Sequence, residues 1–236
     1  MTPKKQEIID RPQAILRVAR SIFRERGYLG LSMDRIAEQM GVAKGTIYQH
    51  FKNKEEVILS MVVETLENRI VMFERAVVFS GNARERMAAV GCAAELFVIN
   101  FPDHFELEKV LSCSSIIQKT SEKLQVLKTT AEMKCISLVA GLVRDGIASG
   151  ALQLSENITP DQVVFGLWSN SYGGYSIMES GETLKQMGIT DGFQLVRNMN
   201  NRLLDGFGWK PLSSEVDYDV IFDQVRNEIF SDFPKP

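Results

Sequence analysis

The chain of 236 residues contains few of the residues that carry most catalytic and metal chemistry, with three cysteines and two histidines. Cys92, Cys113 and Cys135 lie far apart without CxxC spacing, which favours reduced, mostly buried thiols in a cytoplasmic protein. His50 and His104 have no cysteine or carboxylate nearby at metal-ligand spacing. The sequence therefore predicts no metal and no cofactor. A redox role for Cys113 or Cys135 is the weaker alternative, because nothing basic in the sequence evidently lowers a thiol pKa.

Long apolar runs and catalytic glycine loops are also missing. No run approaches the roughly 20 apolar residues that span a bilayer. The first ten residues, MTPKKQEIID, lack the apolar core of a secretory signal, so we expect neither membrane insertion nor export. Ser112 to Ser115 has no glycine elbow, and Gly141, Gly146 and Gly150 follow no strand. The sequence therefore predicts a cytoplasmic protein without enzyme activity.

What the sequence does have is a pair of short helical patterns separated by three residues. Residues 32–52 read SMDRIAEQMGVAKGTIYQHFK. Apolar residues recur at helical spacing up to Met40, and Ile47 and Phe51 resume that spacing after an interruption at 41–43. This pattern predicts a helix-turn-helix whose second helix turns Ile47 and Phe51 inward and presents its other side to solvent.

The outward side of the second helix is short, polar, aromatic or basic, and it carries no carboxylate. Such a surface suits a helix that enters the major groove of DNA, where side chains reach base edges and phosphates. A packed pair of surface helices without a DNA partner is the structural alternative. The predicted DNA-binding residues are Ser32, Met33, Lys44, Gly45, Thr46, Tyr48, Gln49, His50, Lys52 and Lys54.

A longer series of residues, in order and spacing, extends this pattern. It comprises Ala19, Phe23, Gly27, Gly30, Met33, Ile36-Ala37, Gly41-Val42, Lys44-Gly45-Thr46-Ile47-Tyr48, His50-Phe51 and Lys54-Glu55. With these residues, the stretch 15–59 resembles the amino-terminal domain of the TetR family of bacterial transcriptional regulators. One departure is Ala43, where the family often carries a serine that caps the reading helix. The resemblance covers about the first quarter of the chain.

The resemblance implies an all-α fold with two domains: a three-helix helix-turn-helix DNA-binding domain at 1–53, and a larger helical ligand-binding and dimerisation domain at 54–236. It also implies a ligand-responsive transcriptional regulator, in the first instance a repressor that a small molecule releases from a palindromic DNA operator. One alternative is an α-helical small-molecule binding protein or enzyme whose helix-turn-helix does not function. Another is an adaptor that binds a partner through 160–206.

Charge is distributed unevenly along the chain. Residues 1–60 contain eleven Lys or Arg against seven Asp or Glu, whereas the remainder carries a net charge of −7. A basic segment at 1–60 followed by an acidic remainder, here called the body, fits the binding of a polyanion by the amino-terminal segment. Arg17, Arg20 and Arg24 recur on one face of the first helix, where they form either a rail that faces phosphates or a merely solvated face.

The sequence also predicts the structure at the start of the chain and in the segment that links the helix-turn-helix to the rest of the chain. Residues 1–10 are expected to be disordered, and the first predicted helix covers 11–26 with its end at Gly27. Asn53 and Glu56 have the spacing of a capping box. They predict a helix of some 25 residues that links the helix-turn-helix to the body.

The body reads as helical throughout, without an alternating strand pattern. Asp103 with Glu106 and Thr159 with Gln162 have capping-box spacing at two helix starts. The predicted body helices cover 83–101, 104–111, 115–149, 160–179, 191–206 and 214–231, the last capped by Ser213 or Ser214.

Two binding roles are predicted for the body. The helix at 160–179 is apolar nearly all round, so it and the helix at 191–206 are the expected homodimer interface, with burial inside one subunit as the alternative. A second set of aromatic or soft side chains is typical of an apolar pocket, although each residue by itself fits an ordinary core better, and the family resemblance favours the pocket for the set as a whole. The ligand-binding residues predicted for a largely apolar effector are Phe73, Met87, Phe97, Phe101, Phe105, Cys113, Trp168 and Tyr172.

Overall fold

The computed structural model describes residues 3–178 and 182–233, with side chains described for 11–178 and 184–233. These residues form twelve helices and no strand, which confirms the all-α fold class. None of the described helices combines the length and the apolarity that a membrane crossing requires. The helices are α1 (Pro3–Gly30), α2 (Met33–Met40), α3 (Lys44–Tyr48), α4 (Lys54–Val77), α5 (Ala83–Asn100), α6 (His104–Leu111), α7 (Ser114–Ile117), α8 (Glu122–Ala148), α9 (Pro160–Met178), α10 (Glu182–Gln186), α11 (Gly192–Gly206) and α12 (Tyr218–Glu228).

The first helix begins earlier than predicted. Helical backbone starts at Pro3, so the expectation of disorder is wrong for residues 3–10, while residues 1 and 2 lie outside the described part of the chain. Gly27 breaks α1 as predicted, with φ 62° and ψ −170°, a left-handed φ that favours glycine. Helical geometry then resumes for a short stretch up to Gly30.

The body helices follow the predicted spans with three differences. The predicted helix at 115–149 is divided into α7 and α8, because the chain turns at 118–121. The short helix α10 lies where only a loop was predicted, and residues 179–181 of that loop lie outside the described residues. The last helix begins at Tyr218 and is capped by the side chain of Asp217, so the predicted cap at Ser213 or Ser214 is wrong.

The chain groups into two compact units. The first contains the chain up to Glu67 together with Asp103–Ala131, and the second contains Asn68–Pro102 together with the chain from Glu132 onward. Helices α4 and α8 therefore each contribute residues to both units. The predicted domains, 1–53 and 54–236, follow chain order instead and leave α6, α7 and the start of α8 out of the amino-terminal part.

In the first unit, α2 packs against both α1 and α3. One apolar stripe of α1 is buried. Its members are Ile15, Ala19, Ile22 and Phe23, each at most 2% exposed. Ile36 and Ala37 of α2 complete this small core, so the helix-turn-helix rests on apolar side chains from all of its helices.

In the second unit, α5 packs on α12 and α9 packs on α11. The α9–α11 contact is close because glycines of α9 face α11. A Cβ at Gly174 would lie 2.5 Å from Cγ2 of Val196, and one at Gly166 would lie 3.2 Å from Leu203. The helix that these glycines allow to approach closely is therefore α11 of the same chain.

Candidate nucleic-acid interface

The turn between α2 and α3 is built by local hydrogen bonds. Oγ of Ser32 accepts a hydrogen bond from the amide of Arg35 at 3.2 Å and so caps α2. Gly41 ends that helix with φ 66°. The amide of Val42 then donates to the carbonyl of Ala37 at 3.0 Å, which closes the turn. The three residues between the helices therefore set a fixed angle between α2 and α3.

The orientation of α3 follows from its two apolar residues. Ile47 is fully buried and Phe51, just after the helix, is 7% exposed. Both side chains therefore point into the core of the unit, which confirms the orientation that the sequence predicted. The residues between and beside them necessarily face outward.

The outward side of α3 is the surface that the sequence proposed. Lys44, Gly45 and Gln49 are exposed, Tyr48 is 45% exposed, and Thr46 and His50 are half-buried. Among the described residues, no atom outside the backbone of α3 and the two adjoining residues lies within 4 Å of a Cβ built on Gly45, so the helix can approach a partner closely there. The surface is short, polar and aromatic, which suits contact with base edges.

Met33 does not join this surface. Its side chain is 6% exposed, because the first turn of α2 directs it inward with Ile36 and Ala37. The sequence included Met33 among the predicted DNA-binding residues, and the structure places it in the core instead. Lys52 is exposed after the reading helix, in agreement with a role at its rim.

Lys54 is held in one position by an aromatic ring. Its Nζ lies 3.8 Å from the ring centroid of Tyr28 and donates to the carbonyl oxygen of that residue at 3.4 Å. A cation over an aromatic face is attracted by the negative charge density of the ring. The ammonium is thus fixed at the start of α4, where the sequence predicted a DNA-binding residue.

Lys44 contacts a carboxylate that sequence reasoning did not connect with it. Nζ of Lys44 lies 2.6 Å from Oδ1 of Asp34 on α2 and 5.7 Å from the ring centroid of Tyr48. The hydrogen bond to Asp34 raises the pKa of Lys44 above its usual value. Sequence spacing could not predict this pair, because Asp34 and Lys44 lie in two different helices whose mutual orientation depends on the turn.

The predicted arginine rail on α1 is not formed. Arg20 and Arg24 both bind the carboxylate of Asp103, with their NH1 and NH2 nitrogens at 2.5 Å and 2.6 Å from its oxygens. Arg17 and Arg24 are exposed, whereas Arg20 is half-buried. Asp103 itself makes no capping hydrogen bond to α6, so its predicted role in a capping box is wrong. The two guanidinium groups outcompete the helix amides for that carboxylate.

Ala43 leaves α3 without a side-chain cap, as its methyl group predicts. We expect Ala43→Ser to stabilise α3 by about 0.5–2 kcal/mol, since a serine Oγ can accept from a free amide of the first turn. The change should appear as slower hydrogen exchange at the amide of Gly45, since the amide of Thr46 already donates to the carbonyl of Ala43 at 2.9 Å. Ala43→Val is the matched control, because it adds bulk without an acceptor. Equal protection in both variants would contradict a capping effect.

Comparison with known proteins adds to this geometry. Residues 15–61 match the family model described as bacterial regulatory proteins, tetR family. The fatty acid metabolism regulator protein of Bacillus subtilis is 29% identical over 170 residues, which cover 70% of this chain and 79% of that protein. The amino-terminal domain of the chain is that of the TetR family of bacterial transcriptional regulators. The protein is a DNA-binding regulator of the helix-turn-helix type.

Solved structures share the fold of this TetR-family regulator. A TetR/AcrR family regulator from Thermobifida fusca superposes with a TM-score of 0.63 at 22% identity, over 84% of this chain and 98% of that one. The fatty acid degradation regulator FadR from Bacillus halodurans gives 0.61 at 18% identity, over 82% of this chain and 98% of that one. At identities of 22% and 18%, these similarities show a shared fold alone.

The predicted effector-binding residues of the TetR-family regulator do not form one cluster within a unit. Phe73, Met87 and Phe97 are buried in the second unit, where the rings of Phe97 and Phe101 lie 5.1 Å apart. Phe105, by contrast, is buried in the first unit. The remaining three members, Cys113, Trp168 and Tyr172, are exposed or half-exposed.

The three cysteines differ in exposure. Cys92 and Cys135 are buried, and burial raises the pKa of both thiols, to about 12 for Cys92. Cys113 is exposed, so the prediction of mostly buried thiols holds for two of the three. A hydrogen bond with the hydroxyl of Ser115 lowers the pKa of Cys113, with smaller contributions from backbone amides and from the charge of Lys119. These partners come from the α7 turn, which the sequence did not resolve.

Helix α9 of the regulator carries an exposed aromatic stripe. Phe165 is 62% exposed and Trp168 is 51% exposed, and Tyr172 continues the same face one turn later. The rings follow one another edge to face, with centroids 6.2 Å and 6.3 Å apart. The alternative that α9 is buried inside one subunit is therefore wrong. Two large aromatic residues on one helix face remain open to solvent in the single chain.

Proposed function

We propose that this regulator is a homodimeric repressor whose α3 helices read a palindromic operator, and that a small molecule releases it from DNA. The observation that supports reading by α3 is its orientation: Ile47 and Phe51 are buried, and the polar row of Lys44, Tyr48 and Gln49 faces outward. The acidic body and the basic amino-terminal part, described above, favour contact with a polyanion at that end.

In this proposal each residue of the surface has a role. Lys44, Tyr48 and Gln49 contact base edges, with Gly45 and Thr46 allowing close approach. Ser32, Lys52 and Lys54 contact phosphates, which fix the register but carry no sequence information. His50 lies at the rim of the row. A gel-shift titration on DNA that flanks the regulator's own gene tests the proposal. Operator binding should weaken steeply as salt rises, by about 0.9 log unit per log unit of salt for each phosphate contacted.

Asp34 supplies a further test of the surface. Its carboxylate forms an ion pair with Nζ of Lys44 at 2.6 Å. We expect Asp34→Asn to strengthen binding to non-operator duplexes, because the unpaired ammonium of Lys44 can then contact a DNA phosphate. The salt slope should steepen by up to about one unit, as for one added phosphate contact. Glu38→Gln is the matched control, since Glu38 is an exposed acid on the same helix. Equal changes in both variants would show a general charge effect and contradict a specific role for Asp34.

The homodimer is proposed to form through α9 and α11. One short reading helix contacts few bases, and a two-fold dimer that reads half-sites about 34–36 Å apart is the usual solution. The exposed stripe of Phe165 and Trp168 supports α9 as the contact, because aromatic residues are enriched in the buried centres of interfaces. Asn200 of α11 bonds Asn170 at 2.8 Å and Ser171 at 2.9 Å, so the two helices of one chain present a joined surface.

The effector is proposed to be a largely apolar molecule of the fatty-acid type, and the operator to lie near genes of fatty acid metabolism. Two relatives support this class, since one is named a regulator of fatty acid metabolism and the other of fatty acid degradation. The apolar side chains Phe73, Met87, Phe97 and Phe101 of the second unit fit such a molecule. The rest of the predicted set, Phe105, Cys113, Trp168 and Tyr172, is not part of this proposed site. Phe105 and Cys113 belong to the first unit, and Trp168 and Tyr172 lie on the open face of α9.

Thermal shift and release from DNA test the effector class with a series of fatty acids and their coenzyme A thioesters. The active compound should raise the midpoint of unfolding and weaken operator binding in the same concentration range. A tenfold loss of DNA affinity requires about 1.4 kcal/mol of coupling, so the compound must bind the DNA-free form tenfold better. No response across chain lengths would contradict the proposed class.

The alternative of an α-helical binding protein or enzyme with a non-functional helix-turn-helix makes a different prediction. It expects ligand binding or turnover without preference for any DNA sequence at any salt concentration. We propose that the regulator has no enzyme activity and acts in the cytoplasm, where its DNA partner lies. Its relatives are transcriptional regulators, which supports both statements.

A further inference from the structure

A segment far from the helix-turn-helix in sequence belongs to the same compact unit. Residues 103–121, here called the strap, contain α6, α7 and the turn before α8. The strap contacts the DNA-reading part of the unit at each of its ends and once between them. These contacts are polar and directional, most of them are partly buried, and none of them involves the outward side of α3.

At its first end, the strap is clamped to α1. The carboxylate of Asp103 is 3% exposed and accepts hydrogen bonds from Arg20 and Arg24, with Nε and NH2 of Arg24 at 3.0 Å and 2.6 Å. Arg20 also donates to Oε2 of Glu64 and to the carbonyl of Met61, each at 3.1 Å. One buried carboxylate therefore joins the strap to α1, and Arg20 extends that junction to α4.

The pKa of Asp103 agrees with this clamp. Burial by itself opposes ionisation of the carboxyl, but the hydrogen bond from Arg24 and the charges of Arg20 and Arg24 outweigh it. The pKa of Asp103 therefore lies below its usual value, and the carboxylate is ionised at neutral pH. A carboxylate that is bound by two planar guanidinium groups fixes the relative orientation of the strap and α1 as well as their separation.

At its other end, the strap is tied to the corner between α3 and α4. Nδ2 of Asn53 donates to the carbonyl of Lys119 at 3.0 Å, and the amide of Ser121 donates to Oε1 of Glu56 at 3.2 Å. Nζ of Lys119 lies 3.5 Å from Oε1 of Glu55, and both glutamates are buried. The corner directly follows the reading helix, so its position affects that of α3.

Between these ends, α6 is pinned to α4 by a buried histidine. Nδ1 of His104 lies 2.8 Å from Oγ1 of Thr65, and its Nε2 lies 3.3 Å from Oε1 of Glu108. His104 is fully buried, so α6 cannot slide along α4 without breaking this contact. The strap thus bridges α1, the middle of α4 and the start of α4.

We propose that Asp103 and Asn53 are positioning residues for DNA reading. Through the strap they hold α1 and the α3–α4 corner in the arrangement that fits an operator, and they set sequence preference without touching DNA. The inference rests on the proposed reading surface, since it concerns the residues that orient that surface. Its physical basis is that base contacts need ångström-level placement, whereas attraction to phosphates tolerates small rotations.

Three variants of the full-length protein test the two ends of the strap. Asp103→Asn removes the charge of the clamp and keeps its shape. Asn53→Ser removes the donor to Lys119 but keeps a good cap for α4, whose Glu56 amide bonds Oδ1 of Asn53 at 2.8 Å. Arg24→Gln is the milder probe of the clamp, because that side chain is partly exposed. Asp145→Asn is the charge-matched control, which breaks a 3.0 Å ion pair with Arg86 in the second unit.

Each variant is titrated on two duplexes of equal length, the operator protected by the wild type in footprinting and a scrambled sequence. We expect the three test variants to lose about 5- to 30-fold in operator affinity, the scale of mutations that act at a distance on a binding site. Their affinity for the scrambled duplex and their salt slope should stay unchanged. The control variant should match the wild type on both duplexes.

The two readouts separate positioning from other roles. If the strap only stabilises the fold, each variant lowers the folded fraction of the protein. The affinities for the operator and for the scrambled duplex would then fall by the same factor, which would overturn the inference. A salt slope smaller by about one unit in Arg24→Gln would show a direct phosphate contact, which also overturns it for the clamp. If the Asp103→Asn variant fails to fold, the other two variants decide. If Asn53→Ser and Arg24→Gln both bind the operator within twofold of the wild-type affinity, the strap does not position the reading helix. A wild type that prefers no duplex would instead refute the proposed function itself, and the inference with it.

Discussion

Replacing Lys44 and Tyr48 together by alanine is expected to weaken operator binding by more than about 100-fold. Each residue lies on the outward side of α3, with Tyr48 45% exposed and Lys44 beside it. A good base contact contributes about 1–3 kcal/mol of discrimination, and a dimer places both residues at each half-site. The combined loss therefore exceeds the roughly 2.7 kcal/mol that a 100-fold change represents.

Gel shift at fixed salt measures this loss, and circular dichroism at 222 nm shows that the helices are kept. Neither side chain is buried, so we expect no change in the helical signal. Lys185→Ala is the control for removing an exposed lysine from the second unit. Tyr48→Phe divides the tyrosine contribution into ring and hydroxyl. Operator affinity retained by the double variant would refute the assignment of α3 as the reading helix.

Replacing Trp168 by glutamate is expected to convert the dimer into monomers. In the proposed dimer this side chain, 51% exposed in the single chain, lies in the contact between subunits. A carboxylate there would be desolvated without a partner, which costs several kcal/mol. The mass measured by light scattering should fall from twice 26.5 kDa to 26.5 kDa. Operator affinity should fall by about 100-fold or more, since two linked reading helices gain roughly 10²–10⁴ over one.

Val220→Glu is the matched control for that experiment. Val220 is 61% exposed on α12, so the same charge is added at an equally open apolar position. We expect this variant to stay dimeric and to bind the operator as the wild type does. The opposite pattern, with Val220→Glu monomeric and Trp168→Glu dimeric, would place the interface on another face of the second unit. A dimer in both would show that neither residue lies at its centre.

The residues of the reading site could be predicted because their structure is decided within a few turns of chain. Gly41 ends α2 since a left-handed φ favours glycine, and Ser32 caps that helix through an amide three residues away. Ile47 and Phe51 lie one turn apart and are both apolar, so the same helix side must face the core. The outward row follows from them without knowledge of any distant residue.

Contacts between distant residues were missed or misassigned. Asp103 has the spacing of a capping residue, yet its carboxylate turns to arginines some 80 positions earlier in the chain. Those arginines were in turn expected on a phosphate-facing or solvated face. A capping hydrogen bond competes with two charge-assisted bonds here, and the stronger pair prevails. Sequence spacing shows only the capping bond that Asp103 could make within its own turn, so it cannot reveal the two distant arginines that bind the carboxylate instead.

For this protein, the sequence by itself determined the helical fold, the helix-turn-helix and the side of α3 that faces outward, because periodic apolar residues and backbone conformation act over short distances. Only the tertiary structure decided which charges pair with Lys44 and Asp103, which aromatic residues of α9 stay exposed, and that 103–121 belongs with the reading unit. Those outcomes depend on which side chains fold into contact from distant parts of the chain, and a linear pattern does not contain that information.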